Sequence, residues 1–166
     1  VDLYRDDGLV HVITTAVSYV DRVLWVATYF GASRYDGRYW RGFYNQDSGL
    51  PSDFINFVKG RSANEAWFCT DRGVGALMDF PTNTWVVYQL DPKHRKGKVV
   101  IMRDRQLLKE LEGPINIPHN YALCADTDGN DIWIGTSKGL AWGIGEGYYA
   151  GLRETSQSRI AAGGGE

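Results

Sequence analysis

A tryptophan-centred segment occurs three times in this 166-residue chain. It reads Leu24-Trp25-Val26-Ala27-Thr28, then Ala66-Trp67-Phe68-Cys69-Thr70, then Ile132-Trp133-Ile134-Gly135-Thr136. Each copy is preceded, 16 or 17 residues before its tryptophan, by an apolar residue leading a short turn: Leu9-Val10-His11, Leu50-Pro51-Ser52 and Ile117-Pro118-His119. After each threonine two residues lead to Gly31, Gly73 or Gly139, and a second aromatic run follows at Tyr39-Trp40, Thr84-Trp85 and Tyr148-Tyr149. The first two tryptophans lie 42 residues apart. Units that recur in register at such a period cannot bury their apolar faces singly and do so by stacking on one another.

The local pattern says what each unit is. Its apolar runs are short, rich in β-branched and aromatic residues, and broken by glycine or aspartate, which reads as antiparallel strands joined by hairpins. In the first unit the strands are predicted at residues 12–19, 23–28, 32–35 and 39–44, with turns near Asp21 and at Tyr29-Phe30-Gly31. The repeated glycine suits a hairpin that needs positive φ. Four strands in about 41 residues is the size of one propeller blade. The expected fold class is therefore all-β, with three four-stranded antiparallel blades over residues 9–49, 50–116 and 117–152, and a flexible tail or linker at 153–166. Trp25, Trp67 and Trp133 are expected to wedge between neighbouring sheets, where an indole buries roughly 150–250 Å².

The second and third tryptophans lie 66 residues apart, so the second blade carries an insert at about residues 90–112. It opens on the basic cluster Lys93-His94-Arg95-Lys96-Gly97-Lys98. An extra hairpin turning near Asp104 fits Val99-Val100-Ile101, while residues 106–111 fit a short helix; the hairpin is the reading taken. Lys93, Arg95, Lys96 and Lys98 are candidate contacts for an anionic partner, against the plainer alternative of a solvated loop.

Closed propellers have about four to eight blades, and an open fan leaves bare sheet edges. Three blades therefore require company: a longer propeller of which this is a piece, a second copy making a six-bladed ring, or other chains. Composition narrows the rest. The net charge of −2 gives no overall attraction to nucleic acid, and no apolar run approaches the roughly 18 residues of a membrane helix. Cys69 stands where the sister segments have Ala27 and Gly135, and Cys124 lies in an apolar run, so packing is expected of both. No cofactor motif and no metal set with ligand spacing occurs. Asp126-Thr127-Asp128-Gly129-Asn130-Asp131 resembles the start of a calcium loop, but Ser137 stands where the twelfth-position glutamate belongs, and Asp128-Gly129 is a hairpin signal.

The pattern apolar-Trp-[Ile/Val]-[Gly/Ala]-Thr-x-x-Gly, the Arg34-Tyr35-Asp36 ending and the Gly49-Leu50-Pro51-Ser52 lead into the next unit resemble the two-component-regulator propeller repeat. That resemblance implies a sensor-type propeller of periplasmic or extracellular location, from proteins with many more blades. The third unit departs from it, having Gly143-Ile144 in place of Tyr-Asp.

His11, Ser52 and His119 are register-equivalent, each leading into a blade's first strand, with Asp53 and Asn120 beside them. Loops converging on a rigid scaffold are where ligands bind, which makes these five the candidate polar ligand site. The competing role is to cap the loop backbone. For catalysis there is no nucleophile elbow, phosphate loop or metal triad. Asp36, Asp47, Asp53 and Asp79 are carboxylates that folding could gather. The leading expectation is thus a non-catalytic binding or scaffold module; the alternative is a propeller hydrolase or lyase acting on a carbohydrate-like substrate.

Overall fold

The computed structural model describes residues 8–145. It is all-β, with three antiparallel sheets. The first holds β1 (Thr14–Val20), β2 (Val23–Thr28), β3 (Ala32–Tyr35) and β4 (Trp40–Phe43) in sequence order. The second runs β5 (Ile55–Gly60), β6 (Ala66–Thr70), β7 (Gly73–Asp79), β8 (Thr84–Asp91), β9 (Lys96–Arg103) and β10 (Gln106–Gly113). The third has β11 (Ala122–Asp128), β12 (Asp131–Thr136) and β13 (Gly139–Gly143).

The strand count, four, six and three among the described residues, corrects the expectation of three four-stranded units. The insert forms the expected hairpin, β9–β10, turning at Asp104 and Arg105 with φ 47° and 67°, and it extends the second sheet through β8 to six strands. In the third sheet the fourth strand expected at Tyr148-Tyr149 lies outside the described residues, as does the tail.

The sheets pack face to face, with β5 between β1 and β11. Trp25, Ala27, Ala32, Phe43 and Leu50 from the first segment meet Ile55, Val58, Ala66, Phe68, Leu77 and Trp85 of the second sheet in one core. A second core joins Trp67, Cys69, Val74, Ala76 and Val86 to Ala122, Ala125, Ile132 and Ile134 of the third. Sheet two is thus covered on both faces, and β6 accordingly reads Ala-Trp-Phe-Cys-Thr, buried throughout, without polar alternation. By contrast, β12 alternates, with Ile132 and Ile134 buried and Trp133 turned outward.

The repeat is visible in hydrogen bonds as well as strands. Thr28, Thr70 and Thr136 each donate a hydroxyl hydrogen bond to the carbonyl of the glycine three residues on, at 2.7, 2.8 and 2.8 Å. The same hydroxyls accept from the backbone N–H of Phe30, Arg72 and Lys138. Gly31, Gly73 and Gly139 take φ of 96°, 126° and 127°, the positive region the turn was expected to need. Between sheets, Thr15 donates to Ile55 O at 2.7 Å and Asn56 to Ala122 O at 2.8 Å, so equivalent positions on successive first strands make equivalent lateral bonds.

Arginines fix the hairpins across the gaps. Arg34 of β3 donates to Ala63 O through Nε and Nη2 and lies 4.0 Å from the Phe80 ring centre. Burial lowers its pKa, with Asp36 opposing, which leaves a guanidinium charged at any ordinary pH. Arg61 likewise donates to Gly129 O at 2.6 Å and Asn130 O at 3.0 Å, gripping the 128–131 turn, whose Gly129 has φ 57°. That segment is a hairpin turn, as its Asp128-Gly129 predicted.

Of the three repeated indoles, two wedge between sheets. Trp25 is 0% exposed, meets Phe68 edge-on at 6.2 Å and donates Nε1–H to Ser62 O across the gap. Trp67 is 2% exposed and stacks on Tyr88 at 5.6 Å. Trp133 is 37% exposed, which corrects the expectation for it: it stacks on its cross-strand partner Trp142 at 5.2 Å, with rings 4° apart, on a face that no described sheet covers. Cysteine behaviour also divides. Cys69 is buried as expected, and burial, with Cys124 a smaller influence, pushes its thiol pKa far up. Cys124 is exposed, on the third sheet, whose outer face no described sheet covers, and it is not the buried packing residue expected.

Candidate functional site

The five candidate ligand residues lie where the chain leads into β5 and β11 or approaches β1, at one end of the sheets. His11 Nδ1 accepts from Ile13 N at 3.2 Å, Ser52 Oγ from Phe54 N at 3.1 Å, and His119 Nδ1 from Tyr121 N at 3.1 Å. These are one bond made three times: a side-chain acceptor tying down the N–H two residues on, the local turn chemistry of short polar side chains. With Nδ1 accepting, each neutral imidazole carries its proton on Nε2. Ser137 Oγ lies 2.8 Å from the same His119 nitrogen.

Asp53 and Asn120 are also matched. Asp53 Oδ1 accepts from Asn45 N at 2.7 Å, just beyond β4, and Asn120 Oδ1 accepts from Leu90 N at 2.7 Å, at the equivalent point of β8. Asn120 Nδ2 returns a bond to Leu90 O at 2.8 Å, so this amide pairs with the backbone as a strand would. Both side chains fasten the loop to the fourth strand of the preceding sheet.

The structure brings Ser52 and Asp53 together at a cavity of about 170 Å³ shared with Phe30, Asn45, Phe54 and Arg72. His11, His119 and Asn120 are not among its lining residues. A neighbouring cavity of about 210 Å³ is bounded by Tyr29, Phe54, Ile55, Asn56, Asp71 and Tyr121, so Phe54 forms a wall of both. None of its walls was among the candidate site residues read from the sequence. The signal was there in the register: Tyr29, Asp71 and Ser137 occupy one turn position in the three units, and only the second is acidic. A third, apolar cavity of about 240 Å³ opens between the second and third sheets against Trp67, Tyr88, Ile117, Ile134 and Trp142.

The basic cluster sits elsewhere, at the tip joining β8 to β9. Asp91 Oδ1 accepts from Lys93 N and His94 N, and Asp91 Oδ2 lies 2.7 Å from His94 Nδ1. That bond holds the Asp91 carboxyl below its usual range and raises His94 above its own. Lys93, Arg95 and Lys96 are exposed at this tip. Lys98 is already within β9 and pairs with Glu110 of β10 at 2.9 Å, apart from the other three. Among the described residues no cluster of three or more His, Cys, Asp or Glu has the disposition of a metal centre. Among the described residues no helix is long and apolar enough to cross a membrane.

What the fold defines is an all-β array of three face-packed antiparallel sheets with clustered loops at one end. No family model matches the chain. No curated protein matches it either. Solved structures share partial likeness. The extracellular domain of the putative one component system BT4673 from B. thetaiotaomicron is 13% identical, with TM-score 0.39, over 82% of this chain and 28% of that one. The extracellular domain of the putative hybrid two component system BT3049 from B. thetaiotaomicron is 18% identical, with TM-score 0.33, over 78% and 28%. The computationally designed Ika4 protein is 12% identical, with TM-score 0.38, over 82% and 92%. The chain thus spans less than a third of the length of the two B. thetaiotaomicron domains.

Proposed function

We propose that this chain is a non-catalytic binding module of propeller type, three blades of a ring that a second copy completes. The observation that carries the reading is the Trp133–Trp142 pair, exposed at the position where Trp25 and Trp67 are each covered by the next sheet. Leu140 of the same sheet is exposed beside it. At the opposite end of the array, β1 exposes Val17 and Tyr19, which are register-equivalent to Val58 and Gly60 on the face that covers Trp25. The chain therefore presents both halves of the joint it already makes twice internally. A head-to-tail contact of this kind closes when the rotation is right, and two copies of three give six blades, within the known range.

The non-catalytic part rests on the loop end. There the repeated His11, Ser52 and His119 and the paired Asp53 and Asn120 hold their own loops by hydrogen bonds, which supports a structural use for these side chains. The repeat's resemblance to sensor propellers of two-component regulators supports a periplasmic or extracellular setting. Sedimentation velocity on Trp142→Ser and Leu140→Ser tests the joint. Both variants are expected to shift the chain toward monomer while keeping its far-ultraviolet strand signature; an unchanged assembly state would remove the sheet face from the interface.

A further inference from the structure

We infer that the loop end carries a binding site for a primary ammonium group, held by Asp71 and walled by Tyr29, Phe54 and Tyr121. Asp71 follows Thr70 in the turn between β6 and β7, where its backbone N–H donates to Phe54 O at 3.3 Å. Tyr29 and Ser137 hold the same position in the sister turns and donate in the same way, to Ile13 O and Tyr121 O, each at 2.9 Å. A phenol and a hydroxymethyl serve there, so the turn itself needs no acid. Yet Asp71 Oδ1 is shut off from solvent with no hydrogen-bond donor among the described residues. An enclosed carboxylate oxygen without a donor is costly to fold. Keeping one where the scaffold has no use for it points to a donor that arrives from outside.

The walls select what kind of donor. Tyr29 and Phe54 meet edge to face at 5.5 Å with planes at 90°, and Tyr121 bounds the cavity from the third sheet. All three rings are exposed, unlike the rings inside the cores. Ring faces attract cations through their quadrupole, and a carboxylate forms short, charge-assisted bonds to N–H donors. No basic side chain is among the lining residues; Arg72, the next residue along, lines the neighbouring cavity with Ser52 and Asp53. An anion would meet Asp71, and a quaternary ammonium has no N–H for Oδ1. A primary ammonium fits both the rings and the oxygen. Its bearer is a small alkylamine or the lysine side chain of a peptide, which share this chemistry. The site stands independently of the sheet-face joint.

The test is NMR titration of the ¹⁵N-labelled chain with n-butylammonium chloride and with Nα-acetyl-lysine methylamide, using n-butanol as the uncharged control. Saturable shifts are expected at the Asp71, Phe54 and Tyr121 amides with the ammonium probes. Binding should be at least tenfold weaker for n-butanol, and at least tenfold weaker in Asp71→Asn. Asp71→Ser, which installs the residue of the third turn, keeps the fold and loses the same binding. Tighter binding of the lysine derivative assigns the site to a peptide, and tighter binding of butylammonium assigns it to a free amine. The proposal is overturned if neither ammonium saturates these resonances, if n-butanol binds as well, or if Asp71→Asn and Asp71→Ser bind undiminished.

Discussion

Trp25 of the first sheet lies against Gly60 of the second, with its Cδ1 atom 2.5 Å from where a β-carbon on that glycine would stand. Val20 Cγ1 is 2.9 Å from the same point. The last residue of β5 must therefore lack a side chain for the indole to reach Ser62 O and Phe68. Gly60→Ala is expected to destabilise the chain by about 1–3 kcal/mol through overpacking, since a fully buried indole has nowhere to retreat. Urea unfolding measures this. Combining Gly60→Ala with Trp25→Leu should cost clearly less than the two separate losses added together, the sign of direct contact; strict additivity would separate the two residues.

Glycines at positive φ should rank by what surrounds them. Gly73 has φ 126°, and a β-carbon there would stand 2.6 Å from Tyr88 O. Gly37 has φ 94° with nothing within 4 Å. Gly37→Ala carries only backbone strain, on the order of 1–3 kcal/mol. Gly73→Ala carries strain plus a clash with a strand carbonyl and is expected to lower the melting temperature further. Thermal unfolding of the two variants side by side gives the order, and equal losses would contradict it.

The hairpin tip between β8 and β9 should respond to pH through His94 and Asp91. The side-chain hydrogen bond from Asp91 raises His94 above its unfolded value, so that contribution is complete below the unfolded histidine pKa and is lost as pH rises through the folded one. The bond to His94, then those from the backbone of His94 and Lys93, lower Asp91, so its contribution is present above the unfolded aspartate pKa and is lost as pH falls through the folded one. The tip is therefore most stable between about pH 4 and about pH 6.5. An NMR titration of the His94 ring should give a midpoint that falls in Asp91→Asn; an unmoved midpoint would break the pair.

Much of this architecture was legible because the repeat carries its own chemistry. The Thr-x-x-Gly turns, the Asp21 and Asp128-Gly129 hairpins and the strands Val23–Thr28 and Ala32–Tyr35 follow from local rules that each unit restates. What depends on neighbours was not legible. Trp133 carries the same local signature as Trp25, and only the absence of a covering sheet among the described residues separates 37% exposure from none. Cys124 went astray for the same reason. Pairing of β9 with β8, from Asp91–Lys96 out to Thr84–Arg103, is a hairpin between sequence neighbours, and it was missed because the basic run at its tip carries no apolar strand pattern. At the loop end, reading equivalent residues as a shared site found the three caps and overlooked Asp71. Repetition marks what the scaffold needs, whereas the residue that breaks it is free for another use.

Mass in solution by light scattering is the most direct test of the array as an unfinished ring. Two copies joined through the Trp133 face predict a particle of twice 18.6 kDa at micromolar concentration. A monomer of 18.6 kDa, unchanged across a hundredfold range of concentration, would contradict it.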